Sequence, residues 1–93
     1  MYAVELSRKS IKFLDKLDAH IRERIRDRLK RLGVDPVPSD TKFIGRDKQG
    51  EKVFRYRIGD FRALYKVKDA EKIVLVAKID KRPRIYERES PLL

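Results

Sequence analysis

The sequence predicts an α+β domain, in which a helical hairpin packs on one face of an antiparallel-rich sheet in the order β-α-α-β-β-β. The chain has 93 residues and an apolar fraction of 41%, enough for one domain with one modest core. Apolar residues recur at helical spacing in the first half and alternate with charged residues in the second half. A chain of this length supplies one packed layer, so the other sheet face must meet solvent, a ligand or a partner.

The first third of the chain is predicted to hold a short strand and two helices. A brief apolar alternation at residues 2–6 predicts the strand. Ser7 is placed to cap the first helix, and Asp18 is placed to cap the second. Gly33 is placed to end the hairpin, about residues 7–33, as a left-handed residue beyond the last turn. The predicted buried stripe of the second helix is Ile21, Ile25, Leu29 and Leu32.

The remaining chain is predicted to be a loop, a sheet and a tail within the same domain, which spans residues 1–93. The loop covers residues 34–51, where prolines prevent a helix. Three strands come next, within residues 52–79, with a tight reversal at Gly59 and Asp60. The last of them is apolar on both faces, which is typical of an internal strand. Residues 80–93 form a basic tail.

The charge balance indicates a polyanionic partner. There are 25 Lys and Arg residues against 15 Asp and Glu residues, a formal net charge of +10. Nucleic acid is the expected partner, because no apolar run approaches the roughly 20 residues of a membrane-spanning helix. No secretory signal follows Met1, so we expect a cytoplasmic location and no membrane partner. Asn is absent, Gln49 is the only Gln and 43% of residues are charged, a composition typical of a thermophilic or archaeal source.

The sequence lacks the catalytic residue patterns of most enzyme classes. Cys is absent, His20 is the only His, and no carboxylate cluster has metal-ligand spacing, so we expect neither a metal nor another cofactor. No glycine-rich loop cradles a nucleotide phosphate. The serines have no neighbouring His and Asp, so a serine hydrolase is not indicated.

Basic residues on the predicted strands suit phosphate chemistry. Arg55 and Arg57 share one strand face, Arg62 follows on the neighbouring strand, and the tail adds Arg82 and Tyr86. The planar guanidinium matches phosphate oxygens, and removing one pre-organised donor to a transition state costs roughly 100- to 1000-fold in rate. RNA carries its own nucleophile, the 2′-OH. A metal-free ribonuclease therefore needs only to align that hydroxyl, move protons and neutralise charge.

The same residues also have purely structural interpretations. Arg55 and Arg57 are alternatively a solvated strand face, although their side-by-side placement favours phosphate contact. Arginine stays protonated, so Tyr86 is the tail group able to exchange a proton or to stack on a base. An aromatic clamp that fastens the tail to the sheet is an equally good reading of Tyr86. For an arginine row on the second helix a solvated face is the favoured reading and RNA contact the alternative. The further candidate RNA contacts are Lys81, Arg84, Lys42, Arg28 and Arg31.

The order and spacing of these segments resemble the RelE family of toxins, within the wider RelE/ParE superfamily, over residues 2–88. The resemblance implies a toxin of a type II toxin–antitoxin system, an endoribonuclease that enters the ribosomal A site and cuts mRNA without metal. It also implies a cognate acidic, RelB-like antitoxin that masks the basic surface. The motifs that carry it, besides the helical hairpin, are Lys42-Phe43-Ile44-Gly45, Phe54-Arg55-Tyr56-Arg57, Phe61-Arg62-Ala63-Leu64-Tyr65 and Lys81-Arg82-Pro83-Arg84-Ile85-Tyr86.

The resemblance also implies roles for single residues. Arg62 and Arg82 would contact the scissile phosphate, and Tyr86 would stack on the base or assist proton transfer. Arg55 and Arg57 occupy positions where relatives have basic residues, often Lys, and the change to Arg is a departure from them. Two alternatives stay open: a ParE-like toxin that poisons DNA gyrase and cuts no RNA, and a non-catalytic RNA-binding or ribosome-binding module.

Overall fold

A computed structural model describes residues 1–81 as a five-stranded sheet with two helices. The predicted α+β class is confirmed, with one strand more than predicted, so the order is β-α-α-β-β-β-β. The elements are β1 (Ala3–Leu6), α1 (Arg8–Asp15), α2 (Ala19–Lys30), a 3-10 turn (Arg31–Gly33), β2 (Thr41–Arg46), β3 (Lys52–Ile58), β4 (Phe61–Lys68) and β5 (Ile73–Lys81).

The sheet is mixed but mainly antiparallel, in the spatial order β1-β5-β4-β3-β2. β1 pairs parallel with β5, and every other neighbouring pair is antiparallel. The strand that is apolar on both faces, β5, lies between β1 and β4, so its predicted internal position is confirmed. The two edges are the short β1 and the exposed β2.

The extra strand lies in the segment 34–51 that the sequence predicts as a loop. Thr41–Arg46 pairs antiparallel with β3, and the register shifts between Phe43 and Gly45. A register shift interrupts the two-residue alternation that identifies a strand in a sequence, and an edge strand buries few side chains. The strand therefore carries no clear hydrophobic pattern, and the loop prediction was wrong for these six residues.

The predicted N-caps are confirmed in position, but only one of them makes the capping bond. The Ser7 hydroxyl accepts a hydrogen bond from the Ser10 N–H at 3.1 Å and donates to the Ala77 carbonyl at 2.8 Å, which ties α1 to β5. Asp18 precedes α2 without a side-chain cap, and its carbonyl accepts from the Arg22 N–H. Within residues 1–81 no helix is long and apolar enough to span a membrane.

Gly33 ends the helical hairpin for a different reason from the predicted one. It is not among the glycines with positive φ, so the left-handed assignment was wrong. The Gly33 carbonyl accepts from the Tyr2 N–H at 2.8 Å, and a Cβ at Gly33 would lie 2.8 Å from the Tyr2 oxygen. Glycine is required here because β1 runs against the end of the hairpin with no room for a side chain.

The core lies between the two helices and one face of the sheet. Tyr65 is fully buried at its centre, where its ring stacks on Phe54 and its hydroxyl donates to the Pro36 carbonyl. Burial raises the pKa of Tyr65, so the phenol stays protonated. The buried apolar side chains of this layer are Leu14, Ile25, Leu29, Leu32, Phe54, Tyr56, Ile58, Ala63, Tyr65, Val67, Val74, Val76 and Ile79.

Candidate functional site

The sheet face that points away from the helices carries many basic side chains, and five of them form two adjacent rows. Phe54, Tyr56 and Ile58 of β3 face the core, so the alternate residues Arg55 and Arg57 face the other way. Residues directly opposite each other on antiparallel strands share a face, so the pairing register extends this assignment to neighbouring strands. We call these two rows the basic face, and their members are Lys42, Arg55, Arg57, Arg62 and Lys78.

The first row lies beside the β3–β4 hairpin. Arg57 is directly opposite Arg62, and Arg62 is directly opposite Asp80. Arg57 is exposed, whereas Arg62 is only 5% exposed, and its Nη1 donates to the carbonyls of Gly59 and Phe61 at 2.8 and 2.9 Å. The predicted tight reversal at Gly59 is confirmed, with a φ of 58°. Like charges directly opposite each other are destabilising, and Asp80, directly opposite Arg62, supplies a negative side chain on the same face.

The second row crosses four strands two residues further along. Lys42 is opposite Arg55, Arg55 is opposite Leu64, and Leu64 is opposite Lys78. Lys42 is exposed at the β2 edge, Arg55 is half-buried and Lys78 is buried. Neighbouring strands lie about 5 Å apart and alternate residues of a strand about 7 Å apart. A short segment of a phosphate chain can therefore contact both rows.

A register shift in β5 brings Lys78 to the basic face. Val76 is opposite Tyr65 and Lys78 is opposite Leu64, which leaves Ala77 without an opposite residue. Without this shift, Lys78 would share the core-facing side of Val76. Lys78 is not among the site residues predicted from the sequence, where the only signal for it is a lysine inside an otherwise apolar run.

The basic face ends at Lys66. Its ammonium group forms ion pairs with Asp47 and, at 3.6 Å, with Glu51. The hydrogen bond from Lys66 lowers the pKa of Asp47, and the same bond raises the pKa of Lys66. Asp47 Oδ1 also accepts from the N–H groups of Gln49 and Glu51, both at 3.0 Å, which folds the β2–β3 loop around this carboxylate.

Arg28, a predicted RNA contact, lies on the helix side of the sheet and not on the basic face. Its Nη2 pairs with Asp40 Oδ2 at 2.9 Å and donates to the Arg57 carbonyl at 3.2 Å. Its Nε donates to the Tyr56 hydroxyl at 3.1 Å, and its guanidinium lies 5.2 Å from the centre of that ring. Arg28 therefore links α2 to β3 on the helix side of the sheet. Arg31 is exposed in the 3-10 turn that follows α2, also away from the basic face.

The other predicted site residues lie at the end of β5 or beyond it. Lys81 is the last residue of β5, not the start of a tail, and is opposite Phe61. The Phe61 ring contacts Phe13 of α1, so the register assigns Lys81 to the helix side. The residues predicted in the tail that lie outside the described part of the chain are Arg82, Arg84 and Tyr86.

The arrangement can bind a chain of phosphates, because arginine guanidiniums and lysine ammonium groups lie on one sheet face, with Lys42 and Arg57 exposed to solvent. In residues 1–81, no group of three His, Cys, Asp or Glu side chains is placed to hold a metal ion. A helical hairpin on one sheet face and a cationic opposite face define a small α+β domain with a basic sheet face.

Comparison with known proteins assigns this domain to a family. A family model described as the ParE toxin of the type II toxin-antitoxin system, parDE, matches residues 4–86. The chain belongs to this family and is a type II toxin of the RelE/ParE superfamily, as the sequence resemblance predicts.

Individual relatives agree with this assignment. A curated protein of Methanocaldococcus jannaschii, provisionally named toxin RelE1, is 29% identical over 86 residues, covering 92% of this chain and 96% of the relative. A chain of the archaeal RelE–RelB complex from Pyrococcus horikoshii OT3 matches with a TM-score of 0.79 at 26% identity, over 89% of this chain and 97% of that one. The isolated E. coli RelE toxin gives a TM-score of 0.71 at 20% identity, over 98% and 97%, a likeness that shows the fold alone.

Proposed function

We propose that this toxin is a ribosome-dependent mRNA endonuclease that works without metal and cuts in the A site. The observation that carries the proposal is the pairing of Arg57 with Arg62 across the β3–β4 hairpin, next to a second basic row. Two opposed guanidiniums, of which that of Arg57 is exposed, suit a phosphodiester, and the adjoining row suits the neighbouring phosphate. The resemblance to RelE toxins supports ribosomal mRNA as the particular polyanion.

In the proposed reaction, the substrate 2′-OH attacks the adjacent phosphorus, the P–O5′ bond breaks, and a 2′,3′-cyclic phosphate and a 5′-OH form. The exposed Arg57 guanidinium binds the non-bridging oxygens as their charge increases. Arg62 is held by two hairpin carbonyls, so its charge is pre-organised and needs little reorientation during the reaction. Arg82 is the proposed third phosphate contact.

Proton transfer is assigned to the tail. Arginine keeps its proton at neutral pH and is a poor general base. The core tyrosines Tyr56 and Tyr65 face the helices, so neither reaches the basic face. Tyr86 is the proposed group that exchanges a proton or stacks on the substrate base.

Replacing Tyr86 with Phe separates its two proposed roles, because the ring stays and the phenolic proton is lost. We expect a slower single-turnover cleavage rate with little change in the affinity for programmed ribosomes. Cleavage at the wild-type rate would remove proton transfer from the role of Tyr86 and leave stacking.

We also propose an acidic, RelB-like antitoxin as the partner that silences the basic face in the cytoplasm. A partner of opposite charge lying along this surface would block phosphate access and associate rapidly. The solved complexes of RelE with RelB from Pyrococcus horikoshii OT3 and Mycobacterium tuberculosis support this partner class.

The ParE description of the matching family favours a second candidate, a toxin that poisons DNA gyrase and cuts no RNA. One experiment separates the candidates: purified protein is added to translating ribosomes and, separately, to a gyrase supercoiling assay. New mRNA 5′ ends in phase with A-site codons support the nuclease. Loss of supercoiling without mRNA cuts supports the gyrase poison. Salt-sensitive RNA retention with neither effect indicates a binding module.

A further inference from the structure

The backbone of Arg57 extends past the end of its neighbouring strand. β2 begins at Thr41, which is opposite Tyr56, so no residue of β2 lies across from Arg57. The Arg57 N–H donates to the Asp40 carbonyl at 3.1 Å, and the Arg57 carbonyl accepts from Arg28 Nη2 at 3.2 Å. The Arg28 side chain of α2 therefore replaces the backbone N–H donor that a further β2 residue would supply if the antiparallel ladder continued.

Arg28 is itself held in one orientation by several partners. Its ion pair with Asp40 at 2.9 Å is a charge-assisted hydrogen bond, which is stronger than a bond between neutral groups. The Tyr56 hydroxyl accepts from Nε, and the Tyr56 ring lies beside the guanidinium. The Arg28 side chain is only 29% exposed. Because its planar guanidinium is held rigidly, the position of α2 determines the position of the backbone at the end of β3.

We propose that Arg28 is a positioning residue for Arg57. From the helix side of the sheet it fixes the peptide group from which the Arg57 side chain extends to the substrate phosphate. The inference rests on the proposed nuclease function, in which Arg57 touches the reacting group. A displacement of about 1 Å in such a group can cost roughly 100-fold in rate. Loss of the Arg28 guanidinium should therefore lower the cleavage rate by displacing Arg57.

A double-mutant cycle tests the coupling. We expect Arg28→Met to lower the single-turnover rate on programmed ribosomes by about 10- to 100-fold, with KM within about twofold of wild type. In an Arg57→Ala background, Arg28→Met should add less than about twofold, because the group it positions is already absent. Arg24→Met, which removes an exposed arginine of the same helix, is the matched control and should leave the rate unchanged. Equal losses in both backgrounds would overturn the proposal, since a general loss of stability does not depend on Arg57.

A gentler variant covers the case in which Arg28→Met does not fold. Asp40→Ala removes the ion pair but keeps the backbone carbonyl that accepts from Arg57. We expect a smaller loss of rate, again absent in the Arg57→Ala background. A loss that persists in that background contradicts the positioning role.

Amide hydrogen exchange gives a readout that needs no activity. The Arg57 amide should exchange at least about tenfold faster in Arg28→Met, whereas the amide of Val74 in the core of β5 keeps its wild-type protection. Unchanged exchange at Arg57 would overturn the inference even if the chain proves to be a nuclease. If the wild-type protein cuts no mRNA, the proposed function fails, and exchange at Arg57 still decides the role of Arg28.

Discussion

At the scale of single residues, burial divides the arginines of the first row into two kinds. Arg62 is almost fully buried and donates to two hairpin carbonyls, so its position is set by the fold. Arg57 is exposed, and the structure fixes its backbone through Asp40 and Arg28. A substitution at Arg62 therefore mixes stability with function, whereas a substitution at Arg57 reports mainly on function.

Replacing Arg57 with Ala should slow mRNA cleavage by about 100-fold and leave ribosome affinity nearly unchanged, because one guanidinium donor to the phosphate is lost. Single-turnover cleavage and ribosome co-sedimentation measure the two effects. The matched control is Arg24→Ala, which removes an exposed arginine on the helix side. Parallel losses of cleavage and ribosome affinity in Arg57→Ala would identify Arg57 as a docking residue.

At the scale of elements, the sequence predicts the features that local pattern determines and misses those that tertiary contacts determine. The alternation in β3 correctly assigns Arg55 and Arg57 to the face opposite the helices. β2 is missed because its pairing comes from β3 and not from a pattern of its own. Gly33 is misread because the close approach of β1, not a backbone angle, demands glycine there. Arg28 has the sequence context of a solvated helix arginine, and its role depends on partners distant in the chain.

The β2–β3 loop and β4 are joined by an ion pair whose contribution should depend on pH. The pKa of Asp47 is lowered from 3.8, so its share of the stability is present above about pH 4 and is lost as the pH falls through the lower folded-state value. The pKa of Lys66 is raised from 10.5, so its share is present below that pH and is lost as the pH rises through the higher folded-state value. The pair therefore stabilises the fold across the neutral range.

Lys66→Met should lower the free energy of unfolding at pH 7, because Asp47 loses its ammonium partner while the apolar part of the side chain is kept. The difference from wild type should be smaller at about pH 2.5 than at pH 7, because acid protonates the Asp47 carboxylate and weakens the ion pair. Urea unfolding at the two pH values measures this. Lys68→Met, two residues along the same strand, is the control and should show a smaller loss at pH 7. An equal Lys66→Met deficit at both pH values would show that the ion pair contributes nothing.

At the scale of the whole molecule, the fold separates two surfaces of different organisation. The helix side buries the core. The opposite side aligns basic side chains in rows set by strand pairing. In the proposed function, the net charge of +10 attracts RNA from a distance, and the rows determine how many phosphates are neutralised at once.

Lys42 and Lys12 test whether location or total charge governs RNA binding. Both are exposed lysines, but Lys42 belongs to the basic face and Lys12 lies on α1. Each neutralised phosphate of a single strand contributes about −0.7 to the slope of log K against log salt concentration. Lys42→Ala should therefore make the slope shallower by about 0.7, and Lys12→Ala should change it much less, although both variants lose one charge. Binding of a short single-stranded RNA by fluorescence anisotropy across a salt series gives both slopes. If the two variants shift the slope equally, RNA binding follows net charge, and the paired rows of the basic face have no special part in it.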